Sequence, residues 1–157
     1  MTEPKWSKDE KPLLPLFDEA LRLRDIGEVD AAINLLDEIV SRVPGRDSRL
    51  LSHSHIQLGH IYRNVIRDPK KAEPHFRAAV ACAPTLELAS MNLFHTLHAL
   101  GRPKEAMREI IRLLSLTDSE GYRELLAEGF EDELPTAERM MAAHARALLE
   151  RHRGNTS

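Results

Sequence analysis

The chain has 157 residues, 42% of them hydrophobic and 30% charged, with 25 acidic against 22 basic side chains and a net charge of -3. A domain of that length buries roughly 70% of its extended surface, so an apolar core carries the fold rather than a disulfide framework; the single cysteine, Cys82, cannot pair within the chain. The missing basic excess argues against nucleic acid as a partner, and no apolar run approaches the ~18 residues of a membrane span. The first twelve residues are too charged for a signal peptide, and together these features predict a cytoplasmic protein.

The predicted elements are all helical, because no window alternates Val, Ile, Thr and aromatic residues between turns. Leu13 to Ile26 places Leu14, Phe17, Leu21 and Leu23 on one face and stops at Gly27. Val29 to Val43 follows, with Ala32, Ile33, Leu36, Ile39 and Val40 inward, closed by Pro44-Gly45. Asp47 or Ser48 is predicted to cap a longer helix through Leu51, Ile56, Leu58, Ile61 and Val65, broken by Asp68-Pro69. Lys70 to Ala83 ends at Pro84, Leu86 to Leu100 ends at Gly101, and Pro103 starts a helix to Leu116. Two more close the chain: Ser119 to Glu128, ended by Gly129, and Pro135 to about His152.

Helix pairs joined by short turns call for a test of internal period. Gly27-Glu28-Val29-Asp30-Ala31-Ala32 aligns with Arg67-Asp68-Pro69-Lys70-Lys71-Ala72 and with Gly101-Arg102-Pro103-Lys104-Glu105-Ala106. Downstream, at offsets of 4, 7 and 12, stand Leu36, Ile39 and Pro44, then Phe76, Ala79 and Pro84, then Ile110, Leu113 and Asp118. In the preceding helix of the middle copy, Leu58-Gly59-His60-Ile61-Tyr62 supplies a leucine, a small residue and an aromatic at the same fixed spacings. This pattern resembles the tetratricopeptide repeat, whose signature wants a small residue, a large apolar one, another small or apolar one and a proline at those offsets. Two of the three prolines match. Ala32 to Ala72 is 40 residues and Ala72 to Ala106 is 34, the middle copy carrying one extra residue before its turn and about five at its start. The resemblance implies a right-handed α-α superhelix: a flexible arm (1–12), three repeats (about 13–46, 47–85 and 86–118), a capping helix pair (119–152) and a flexible tail (153–157). It assigns structural roles to Ala32, Pro44, Gly59, Tyr62, Ala72, Phe76, Pro84 and Ala106, with Gly59 expected to cross Ala72 closely.

The resemblance further implies a concave groove, lined by the first helix of each pair, that holds a peptide or helix of another protein. Its positions read Leu14, Phe17, Leu21, Arg24 and Asp25 in the first repeat, His53, Ile56, His60, Arg63 and Asn64 in the second, and Leu88, Met91, His95, His98 and Ala99 in the third. The lysine, asparagine and arginine clamp with which some members hold acidic chaperone tails is replaced by Phe17, Leu21, Gln57, Leu88 and Asn92. An amphipathic helix or extended segment with apolar anchors is the expected ligand, although Leu14, Phe17, Leu21 and Leu88 fit equally well as core.

His60, His95 and His98 belong to an excess of eight histidines. They could bind Zn²⁺ or Ni²⁺, but no Cys, Asp or Glu completes a shell, so a polar groove that senses pH is the better reading. No phosphate loop, HExxH or GxSxG occurs, and no catalytic residue, metal or cofactor is predicted. Glu128, Glu131, Asp132 and Glu133 form an acidic turn, either a docking patch or a solvated loop. Trp6 is either disordered or an anchor on the first helix. The expectation is a non-catalytic adaptor, with an inhibitor or immunity-type partner of one enzyme as the alternative and a histidine-based metal or pH responder third.

Overall fold

The computed structural model describes residues 6–45 and 47–155, and every regular element among them is helical. None of these helices is long and apolar enough to cross a membrane. The chain divides into two compact units, Met1–Ala83 and Pro84–Ser157.

The first unit holds two helix hairpins. α1 (Leu14–Asp25) and α2 (Val29–Arg42) form one, and α3 (Arg49–His60) and α4 (Pro69–Cys82) the other, with α2 also packed on α3. Ser48 caps α3 by accepting a hydrogen bond from the Leu51 amide at 3.1 Å, and Asp68 caps α4 by accepting one from the Lys71 amide at 3.1 Å. Ala20, Ala32, Leu36, Leu58 and Ile61 form one buried cluster, with Phe17 and Tyr62 against it; Leu13, Ile39, Val43 and Leu50 form a second, flanked by Trp6 and Leu14. The periodic apolar faces therefore interlock as predicted, and Leu14 and Phe17 serve the core.

The predicted third helix changes winding before its end. Residues Ile61–Val65 form a π-helical segment, in which the Ile66 amide donates to the Ile61 carbonyl at 3.0 Å. One residue inserted into an α-helix is accommodated in this way, and it is the extra residue the repeat alignment finds in the middle copy. The turn that follows is conserved in form across the three hairpins. Gly27 and Gly101 take φ of 87° and 72°, and Arg67, at the aligned position, takes 63°. Glu28 donates to the Leu23 carbonyl and Arg102 to the Leu97 carbonyl, closing the same six-residue Schellman loop, while Asp68 reaches one residue further back, to Tyr62, at 2.7 Å.

In the second unit α5 (Glu87–Ala99) and α6 (Pro103–Leu116) form the third hairpin, and α8 (Thr136–Gly154) packs on α6. Between them run α7 (Glu120–Ala127) and a 3-10 turn (Phe130–Glu133), both against α8. Ser119 caps α7 through the Tyr122 amide at 3.1 Å, and its hydroxyl donates to Glu87 on α5 at 2.6 Å. Ala106, Ile110 and Leu113 are buried, as are Ala32, Leu36 and Ile39, and Ala72, Phe76 and Ala79. All three copies thus bury the same offsets. Pro44 and Pro84 are exposed and follow the ends of α2 and α4, where their side chains stop the helix.

Candidate functional site

The residues singled out from sequence fall in both units. In the first, Arg24 pairs with Asp25 at 2.7 Å and hydrogen-bonds Gln57 on α3. Leu21 is half-buried, Ile56 is fully buried and offers no surface to a ligand, and Asn64 is exposed. His60 lies edge-on to the Phe76 ring at 5.7 Å and the Arg63 guanidinium sits over the same ring at 5.0 Å. A Cβ on Gly59 would lie 2.5 Å from that ring too. At this crossing the nearest neighbour of Gly59 is the Phe76 ring, one helical turn along α4 from Ala72. Because His60 and Arg63 both pack on Phe76, they contribute to the hairpin itself.

The N-terminal arm has partners from Trp6 onward. Trp6 packs against the cluster of Leu13, Ile39, Val43 and Leu50, edge-on to His53 of α3 at 6.4 Å and beneath the Arg49 guanidinium at 5.4 Å. The Glu10 carboxylate accepts from the Ser48 hydroxyl at 2.7 Å, the Leu50 amide at 3.0 Å and the Ser7 amide at 2.7 Å. Burial opposes its charge, but these bonds outweigh it and hold the carboxyl down at about 2. The first five residues of the arm and the last two of the tail lie outside the described residues.

One histidine pair was not anticipated. His55 on α3 and His75 on α4 face each other, Nδ1 to Nδ1 at 3.3 Å, with Tyr62 stacked on His75 at 5.4 Å and 4° between planes. Burial, with His75 opposite, brings His55 down to about 4; burial also lowers His75, against the pull of Asp37. His53 is lowered by burial and by Arg49. No motif spacing marks residues 55 and 75, since only antiparallel pairing of their two helices joins them. Among the described residues no three His, Cys, Asp or Glu side chains converge on a point where a metal ion could sit.

In the second unit Leu88, His95 and His98 are exposed and Met91 is half-buried, its sulfur against Gly121 of α7. His98 stacks on Phe94 at 6.2 Å with 12° between planes, and Phe94 also meets His95 at 5.1 Å, Tyr122 at 5.9 Å and Phe130 at 5.5 Å. Tyr122 is anchored by a 2.7 Å hydrogen bond to Ser90. This aromatic cluster fixes the end of α5 against the segment after α7. There Gly129, at φ 73°, reverses the chain, the sort of backbone that favours glycine. The turn then sorts its acids. Glu131 points inward and pairs with Arg146 of α8, whereas Glu128, Asp132 and Glu133 face outward.

The result is an open cleft of about 610 Å³ lined by His98, Glu128, Gly129, Phe130, Asp132, Glu133 and Leu134. Three carboxylates and the Phe130 ring share this lining, and among the described residues no lysine or arginine joins them. Such a lining suits a cationic side chain, which can pair with the carboxylates and lie against Phe130. One predicted groove histidine and the predicted acidic turn thus form a single feature.

The architecture defines an all-α protein of short helix hairpins. No protein-family model matches the chain, and no curated protein is significantly similar to it.

Proposed function

We propose that the protein is a non-catalytic binding module of the tetratricopeptide type that holds a basic segment of a partner protein at the cleft beside His98. The repeat assignment draws support from the shared left-handed turn of the three hairpins and from their shared burial pattern. The right-handed superhelix of that family, a cytoplasmic setting and an adaptor role belong to the same proposal. The observation that carries the binding site is the acidic cleft, lined also by Phe130, at the end of α5. An arginine or lysine in an amphipathic segment matches its chemistry, with an adjacent apolar residue reaching the exposed Leu88.

The test is calorimetric titration with amphipathic peptides that differ only in carrying Arg, Gln or Glu at one central position. Arg peptides should bind best, with an affinity that falls as salt rises, and Asp132→Lys with Glu133→Lys should abolish that preference without shifting the melting temperature. Equal binding of the three peptides, or an unchanged preference in the double variant, rejects the cleft as the site.

A further inference from the structure

We propose that His55 and His75 form an acid-responsive clasp between α3 and α4, closed at neutral pH and released when both imidazoles are charged. The inference stands apart from the binding proposal, since it concerns the second hairpin of the first unit. The two Nδ1 atoms lie 3.3 Å apart on facing helices, both rings are half-buried, and Tyr62 holds the His75 ring in place by parallel stacking. One nitrogen must therefore donate and the other accept.

The groups that act on the rings set the order in which they charge. From α2, Asp37 favours positive charge on His75, whereas His55 meets only burial and His75 itself. His75 thus takes the first proton, and as an imidazolium it donates from Nδ1 to His55, so the hydrogen bond survives. The second must go to Nδ1 of His55. That turns the acceptor into a donor and sets two N–H groups and two positive charges against each other inside the hairpin. Among the described residues no third His, Cys, Asp or Glu joins the two imidazoles at one point, and proton uptake is the chemistry argued for the pair.

The sign follows from linkage. Folded His55 resists a proton, with its value brought from 6.5 to about 4, and His75 shifts the same way. The unfolded chain therefore binds more protons across this interval. Stability is complete above about 6.5 and is lost as pH falls toward 4.

The experiment is urea unfolding of the full chain between pH 7.5 and 4.5, followed by the fluorescence of Trp6, the single tryptophan, which lies in the same unit. The folded-to-unfolded ratio should fall by up to about tenfold per pH unit and histidine as each titrates, and His55→Leu should flatten that profile. The same pH slope in both proteins overturns the proposal. Should His55→Leu fail to fold, NMR titration of the unmodified protein decides. His55 titrating after His75 and below about pH 5, with α4 amides shifting in the same step, supports the clasp; His55 titrating first, or near its ordinary 6.5, overturns it.

Discussion

The ring of Phe76 is the contact on which the second hairpin turns: Gly59, His60 and Arg63 of the preceding helix all converge on it, and it is fully buried. Gly59 is required because a side chain there has nowhere to go. Gly59→Ala should place its Cβ into the ring and cost about 1–3 kcal/mol, an overpacking penalty, read as a lower urea midpoint. Phe76→Leu should cost stability on its own but recover part of the loss when combined with Gly59→Ala, so the double-mutant cycle should be clearly non-additive. The small residue is legible in the sequence, since glycine between Leu58 and His60 in a helical stretch signals close approach. Its partner is not. The repeat pattern places small residues in both helices without fixing which of them meet, and the extra residue in the longer helix shifts its phase.

At the level of elements, the helix starts and stops follow from local chemistry, and proline, glycine and capping residues mark nearly all of them. The change of winding at Ile61–Val65 does not, because no residue type in Ile-Tyr-Arg-Asn-Val encodes a π turn. Only the comparison between copies exposes it, as a surplus residue. The same comparison explains Arg67, which occupies the left-handed position that its counterparts give to glycine. A side chain there costs about 1–2 kcal/mol in L-residues, part of which glycine loses again through the greater freedom of its unfolded chain. Arg67→Gly should therefore stabilise the protein by about 0.5–1 kcal/mol, measured as a raised melting temperature with an unchanged helical circular dichroism spectrum. A loss of stability would mean that the Arg67 side chain contributes more than its backbone strain removes.

At the scale of the whole molecule, four described groups that resist acid belong to the first unit. Glu10, His53, His55 and His75 all lie before Pro84 and all have lowered values. For the histidines stability is lost as pH falls below 6.5; for Glu10 it is present above the ordinary 4.5 and lost as pH falls toward about 2. The two windows adjoin. Acid should therefore perturb the first unit before the second, so Trp6 fluorescence should change at higher pH than the ring signals of Tyr122, which is buried and bonded to Ser90. Simultaneous change would show that other groups dominate. Sequence reading finds the helical class and places His98 and the acidic turn on separate segments, but it cannot join them: Gly129 and the aromatic stack around Phe94 do that through space. Nor does it mark His55 and His75, because burial and a facing imidazole lower their values and neither is a property of spacing.

The π segment also bears on which changes in gene length this chain can absorb. Removing one codon between Ile61 and Val65 would return the segment to regular α winding and leave the turn at Arg67 closing as its counterparts at Gly27 and Gly101 do. Removing one codon from the middle of α4 would rotate every later side chain of that helix by about 100° and carry half of its apolar face into solvent. Single-residue insertions and deletions should thus be tolerated just before the turn and purged just after it, which gives repeats of unequal length a physical route by which to diverge without losing their hairpins.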